Sequence, residues 1–221
     1  MTEHLVLLCD LDGTLVDSAI DIANTLNALL QEQKRPLLSK EEISNMVGDG
    51  VAKLVERGFR ATGSCPQGDS LADQVARFAE LYGPRMTEFS RPYPGAIAAL
   101  TSLKQQGWRL AVCTNKPEAA SRQMLTDLKM IQLFETITGG DSVGVKKPDP
   151  NHLLQTLNKM AASPGEAIML GDSQIDAKAA KRAGLPFILV TFGYARVPLS
   201  QIESTKTISH FDELSAALSE L

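Results

Sequence analysis

Apolar positions along this chain fall into two patterns. Short apolar runs occur at 5–9 (LVLLC), 108–113 (WRLAVC), 167–172 (AIMLGD) and 187–191 (FILVT), with a weaker one at 136–139 (TITG). Runs of that length, bounded by polar or turn residues, fit strands buried on both faces. Between them lie amphipathic stretches at about 95–106, 117–129, 151–161 and 174–183. Strands alternating with helices of this length predict an α/β fold, a doubly wound parallel sheet with crossover helices.

The interval 17–90 breaks that alternation and contains no convincing strand. Its apolar residues recur at helical spacing, as in Ile20, Ala23, Leu26, Leu29 and Leu30, and again in Leu71, Val75, Phe78 and Leu81. Ser39 with Glu42 three residues on predicts a capping box opening a helix near 40–46, and a second helix is expected near 51–58. The pattern therefore predicts a helical cap domain over 17–90, inserted after the first strand into a Rossmann-like core of 1–16 and 91–221. Pro92 and Pro94 restrict the return segment RPYPG, so stiff hinges are expected near 16–18 and 90–93. Residues 211–221 predict a closing amphipathic helix.

Composition narrows the function classes. With 22 basic against 26 acidic residues the net charge is −4, which argues against nucleic acid or an anionic membrane as a principal partner. No apolar run approaches the ~20 residues of a membrane span. The N-terminus lacks a basic flank and cleavage pattern. A soluble cytoplasmic protein, monomer or homodimer, is expected. Cys9, Cys65 and Cys113 show no metal spacing and are expected to be reduced, packed thiols.

The chemistry gathers where the strands end, which is where ligands bind in open parallel sheets. Asp10 and Asp12 follow the first strand, and Thr114 to Pro117 (TNKP) the second. Lys146 and Lys147 lie beyond the third, and Asp172 and Asp176 follow the fourth. Four carboxylates without histidine point to a hard, oxygen-ligated cation, Mg²⁺ above all. A lysine, a hydroxyl and nearby backbone amides form a phosphate-binding set. Of the pair Asp10 and Asp12, one can attack as a nucleophile while the other transfers protons. Gly13 lets the chain turn away tightly, and Thr14 offers a hydroxyl to hold the loop.

DLDGT at 10–14, TN at 114–115, KP at 147–148 and GDSQID at 171–176 resemble, in order, the four motifs of the haloacid dehalogenase superfamily. The helical insert resembles that family's mobile cap. The resemblance implies Asp10 as nucleophile and metal ligand. It implies Asp12 as acid/base, giving its backbone carbonyl to the metal. Thr114 and the Asn115 amide would hold the phosphoryl oxygens, and Lys147 would stabilise their charge. Asp172 would be a metal ligand; Asp176 is either a ligand or a partner that orients a water or the lysine. DLDGTLVDS, MVGDGVAKLVERGF (46–59), TNKP and VTFGY (190–194) resemble the family's phosphoglycolate phosphatase branch, although the branch more often has Asn where this chain has Asp49. The implied activity is Mg²⁺-dependent hydrolysis of a small phosphorylated metabolite, 2-phosphoglycolate, with Gly48, Asp49 and Arg57 contacting the substrate from the cap.

Plainer roles compete at several positions. Thr114 and Asn115 are placed to cap the helix opened by Pro117. Asp172 and Asp176 suit a helix start. Lys146 reads as a solvated neighbour, and Lys53 and Arg57 share a helix face that solvent can occupy. Trp108 and Phe192 read as packing residues, while His4, His152 and His210 carry no assigned role. A phosphomutase, a sugar phosphatase and a non-enzymatic phospho-receiver module are the competing functions. The ~70-residue insert and Asp12 disfavour the last.

Overall fold

The computed structural model describes residues 6–221; Leu5 of the first expected strand and His4 lie outside the described residues. The chain runs through β1 (Val6–Cys9), β2 (Val16–Asp17), α1 (Ala19–Glu32), α2 (Lys40–Ser44), α3 (Val51–Ala61) and α4 (Asp69–Tyr82). It continues through β3 (Arg91–Pro92), α5 (Ala96–Gln105), β4 (Arg109–Cys113), α6 (Glu118–Asp127), β5 (Thr136–Thr138) and α7 (Pro150–Lys159). It closes with β6 (Ala167–Gly171), α8 (Gln174–Ala183), β7 (Phe187–Val190), β8 (Lys206–Ile208) and α9 (Leu214–Ser219).

Six strands form one parallel sheet in the order β5-β4-β1-β6-β7-β8. The order of connection reverses between β1 and β6, and that reversal opens a crevice at the carboxyl ends of those two strands. β1, β6 and β7 are buried along their whole length and β4 from Leu110 onward, as their apolar runs predict. Leu7 and Cys9 face the layer holding Leu100, Met124 and Leu218. Val6 and Leu8 face the layer of Leu153, Leu157 and Ala180.

Helices α1 to α4 occupy the interval between β2 and β3. α1 packs against the other three, burying Leu26, Leu30, Phe59 and Phe78 in a cluster continuous with one face of the sheet. The capping box of α2 forms as its sequence predicts. The Glu42 N–H donates to Ser39 Oγ at 3.2 Å, and the Ser39 N–H donates to the Glu42 carboxylate at 2.7 Å. The two crossings into this helical segment run side by side as a short ribbon, with Val16 opposite Pro92 and Asp17 opposite Arg91. Pro92 is tolerated because a two-residue ribbon demands so few ladder bonds. Buried Asp21 on α1 pins the same place, accepting from the Ser90 N–H at 2.7 Å and the Ser90 hydroxyl at 2.6 Å.

Two expectations need correction. β8 has no counterpart in the apolar pattern: it is three residues long at the sheet edge, and only Ile208 is buried. Thr114 and Asn115 do not cap α6. Pro117 holds the cap position without a side-chain bond, and the Glu118 N–H is satisfied by Asp141 at 2.8 Å. The remaining packing agrees with the sequence. Phe192 lies between Tyr93 and Phe211, with ring centroids 4.5 and 5.7 Å away. The three cysteines are free. Among the described residues no helix is long and apolar enough to cross a membrane.

Candidate active site

β1 and β6 are adjacent, so the residues just past their ends meet. Asp10 follows β1, and its N–H donates to Leu170 O at 3.0 Å. Asp172 follows β6. Asp176 lies one turn into α8, where it completes a capping box with Ser173. Asp10, Asp172 and Asp176 each bring a carboxylate oxygen within 4.8 Å of the others. All three are buried.

Lys147, only 3% exposed, comes in from the loop before α7. Its Nζ lies 3.0 Å from Asp10 Oδ1 and 2.6 Å from Asp176 Oδ1. Burial works against its charge, yet the two carboxylates hold its pKa above the usual lysine value. Burial likewise pushes the Asp10 carboxyl up, partly offset by Lys147. It pushes Asp172 up as well, reinforced by the like charges of Asp176 and Asp10. Three buried acids and one ammonium leave an excess of negative charge, and an oxygen-ligated divalent cation is what such a donor set fits.

The individual oxygens are specialised. Asp10 Oδ1 accepts from the Leu11 N–H at 2.8 Å and faces Lys147, leaving Oδ2 without a hydrogen bond to the described residues. Asp172 is oriented by the Thr14 hydroxyl at 3.0 Å and the Tyr194 N–H at 2.6 Å. Both Asp176 oxygens are engaged, one by Lys147 and the other by the Ser173 N–H and hydroxyl. Gly13 makes this approach possible: its φ is +85°, and a Cβ there would stand 2.5 Å from Asp172 Oδ2.

Asp12 lies apart from the three acids. Its Oδ1 accepts from the Ser18 hydroxyl at 2.6 Å, and Lys116 Nζ lies 3.1 and 3.2 Å from its two oxygens. Thr114 and Asn115 are buried beside it at the end of β4. The Asn115 side chain is fully spent on the main chain: Nδ2 donates to Gly48 O at 3.0 Å and Lys147 O at 2.9 Å, while Oδ1 accepts from the Lys147 N–H at 2.9 Å.

Asp10, Asp12, Thr114, Asn115 and Lys116 line one end of a cavity. Ile22, Val47, Val51, Leu54 and Phe78, all from the segment between β2 and β3, make its apolar wall. A water's centre can reach about 60 Å³ of it. Since roughly 10–15 Å³ of such space holds one water, there is room for a handful of waters or a ligand of similar size. Gly48 also lines the cavity. Asp49 and Arg57 do not; they form an ion pair with each other, and Arg196 joins Asp49 from the other side. Arg57 also donates to Met46 O at 2.8 Å, and Lys53 is exposed and paired with Glu56.

A profile of the family described as "Haloacid dehalogenase-like hydrolase" matches residues 7–190. The chain belongs to the haloacid dehalogenase-like hydrolases. Among its relatives in that family is a phosphoglycolate phosphatase of Cereibacter sphaeroides (strain ATCC 17025 / ATH 2.4.3), 43% identical over 207 residues, which are 93% of each chain. A crystal structure of a predicted phosphoglycolate phosphatase from Haemophilus somnus 129pt is 29% identical, with a TM-score of 0.91 and 98% of both chains covered. A mutant of CbbY from Rhodobacter sphaeroides, in complex with xylulose-(1,5)bisphosphate, is 25% identical, with a TM-score of 0.82, covering 97% of this chain and 98% of that one. This hydrolase is thus similar to phosphoglycolate phosphatases in sequence and fold.

Four of this hydrolase's site neighbours escaped the sequence reading. Lys116 was visible as the third residue of TNKP but carried no role. Tyr82 contacts it from the end of α4. Tyr194 accepts from the Ser18 N–H at 2.7 Å and donates to Asp17 at 2.6 Å, so one residue holds both Asp172 and the ribbon. His152 is fully buried, and its ring accepts from the Lys147 N–H at 3.3 Å through Nδ1 while Nε2 faces Gly139 O at 3.2 Å. That pattern requires the neutral ring protonated on Nε2.

Burial, followed by the charge of Lys147, lowers the His152 pKa from 6.5 to about 4. A depressed histidine contributes stability that is present above pH 6.5 and lost as the pH falls toward 4. Urea unfolding of wild type and His152→Gln should therefore show the wild-type advantage shrinking by about 2 kcal/mol between pH 7 and pH 5. An advantage independent of pH would contradict the neutral, buried ring.

Proposed function

We propose that the protein is a Mg²⁺-dependent phosphatase hydrolysing 2-phosphoglycolate through an aspartyl-phosphate intermediate. The observation that carries the reading is the free Oδ2 of Asp10. It belongs to a carboxylate on the cavity wall whose other oxygen is held by Lys147 and the Leu11 N–H. In this reading Asp10 Oδ2 attacks phosphorus, and the bond to the leaving oxygen breaks as Asp12 protonates it. Asp12 then takes a proton from the water that hydrolyses the aspartyl phosphate. The Thr114 hydroxyl and Asn115 N–H hold phosphoryl oxygens, and Lys147 offsets their charge.

Asp10, Asp172 and the Asp12 carbonyl would hold the ion, with Asp176 fixing Lys147 beside them. When bound, Mg²⁺ supplies charge neutralisation at the phosphoryl oxygens. Residues 17–90 act as a cap over a core of 1–16 and 91–221, supported by the apolar cavity wall they contribute. Such a lid excludes water and selects small substrates. The free cysteines suit a reducing, cytoplasmic setting.

The names of the relatives support the substrate, and so does the cavity's size. The bisphosphate held by CbbY supports a second reading, a sugar phosphatase, which the small cavity disfavours. A phosphate-release screen decides between them. 2-Phosphoglycolate should be hydrolysed faster than pentose and hexose phosphates. Release should stop in EDTA and return on adding Mg²⁺. Faster turnover of a sugar phosphate would overturn the substrate, and isomerisation of a sugar phosphate without phosphate release would make the protein a mutase.

A further inference from the structure

A ligand with two anionic groups needs two places to put them, and the cavity offers an uneven choice. The phosphoryl end is provided for by Thr114, Asn115 and Lys147. Beyond the reacting carboxylates of Asp10 and Asp12 the wall is apolar apart from one cation: among the described residues Lys116 alone brings a positive charge to the lining. An unpaired carboxylate against Ile22, Val47, Leu54 and Phe78 would lose its hydration with nothing in return.

Lys116 is 8% exposed and held from two sides. Tyr82 OH lies 2.8 Å from Nζ, and the Tyr82 ring centroid is 4.6 Å away. The contacts to the two Asp12 oxygens, 3.1 and 3.2 Å, are nearly equal and long for a charged pair. That is the pattern of a single N–H shared between two oxygens. An ammonium has three N–H donors. On that count Tyr82 and Asp12 use two, and the third can serve a ligand in the cavity. Gly50 and Val51 line the same cavity. They begin α3, whose first turn receives no side-chain cap, so its positive end adds to the field at that wall. Arg57 is tied to Asp49 and Lys53 to Glu56, both outside the lining.

We propose that Lys116 is the specificity-determining residue that reads the substrate's carboxylate, with the start of α3 completing the subsite. This rests on the phosphatase reading above and deepens it. The chemistry selected is a small phosphomonoester with a second anion within a few bonds of phosphorus. Tyr82, at the end of α4, sets the lysine's reach.

Ethyl phosphate is the control, because it replaces the carboxylate of 2-phosphoglycolate with a methyl group. Lys116 also touches Asp12, so Lys116→Met should slow both substrates, and the ratio of their kcat/KM values isolates the carboxylate. Wild type should favour 2-phosphoglycolate. Lys116→Met should cut that preference roughly tenfold or more, as the loss of a charged hydrogen bond implies, and Lys116→Arg should retain most of it. A preference unchanged in Lys116→Met would overturn the proposal and leave the lysine acting only on Asp12.

If the variant is too slow to assay, calorimetric binding in an Asp10→Asn background with Mg²⁺ gives the same comparison. Adding Lys116→Met should weaken 2-phosphoglycolate roughly tenfold or more beyond any weakening of ethyl phosphate. Equal weakening of both overturns the proposal. A wild-type protein that hydrolyses ethyl phosphate but not 2-phosphoglycolate would refute the substrate reading itself, before any lysine variant is made.

Discussion

Asp10→Asn should lower phosphate release by at least about 10³-fold, because an amide is no nucleophile toward phosphorus. The loss should come without unfolding. Asn matches Asp in size and can still accept the Leu11 N–H and face Lys147 through its carbonyl oxygen. The substitution also removes one of the like charges that push up the Asp172 carboxyl. The melting temperature should therefore stay within a few degrees of wild type, where ~1 kcal/mol corresponds to roughly 2–4 °C in a chain of this size. Circular dichroism melts and phosphate release on the same preparation check both halves. A folded Asp10→Asn protein retaining turnover within tenfold of wild type would remove Asp10 from the nucleophile's place.

Lys147→Met should have the largest effect on stability. The lysine is almost fully buried, and its charge is what two buried carboxylates share. Removing one partner of such a set strands the others, at a cost of about 3–5 kcal/mol. The pH dependence carries the diagnosis. Without the ammonium, the Asp10 carboxyl, which burial already pushes up, loses the charge that offsets that rise. A carboxyl raised in that way contributes stability at low pH that is lost as the pH rises. The deficit of Lys147→Met, read by urea unfolding, should therefore be large at pH 8 and smaller at pH 5. Phosphate release should fall with it at every pH. A deficit that does not change between those pH values would mean that the lysine's stem, not its charge, supports the fold.

Much of this was legible in local pattern. The five apolar runs became β1, β4, β5, β6 and β7, because a parallel strand buried on both faces must be apolar throughout. Ser39 and Glu42 announced α2, since a capping box needs only four consecutive residues. Asp10, Lys147, Asp172 and Asp176 stood out because charged residues at the ends of buried runs are costly unless they are used together. β8 was not legible: an edge strand has one partner, and a single buried isoleucine leaves no pattern. Nor was the ribbon of β2 and β3, which exists only because two crossings of the chain run side by side.

The sequence by itself determined the elements and the inventory of reactive groups, because strand burial, helix capping and motif spacing are properties of neighbouring residues. Only the tertiary structure decided which groups share charge. It put Lys147 between Asp10 and Asp176, turned Asn115 onto the main chain, paired Arg57 with Asp49, and set Lys116 against Asp12 and Tyr82. Those pairings join residues from eight to more than a hundred positions apart, and Coulomb forces between them depend on distance and burial, which no local pattern encodes.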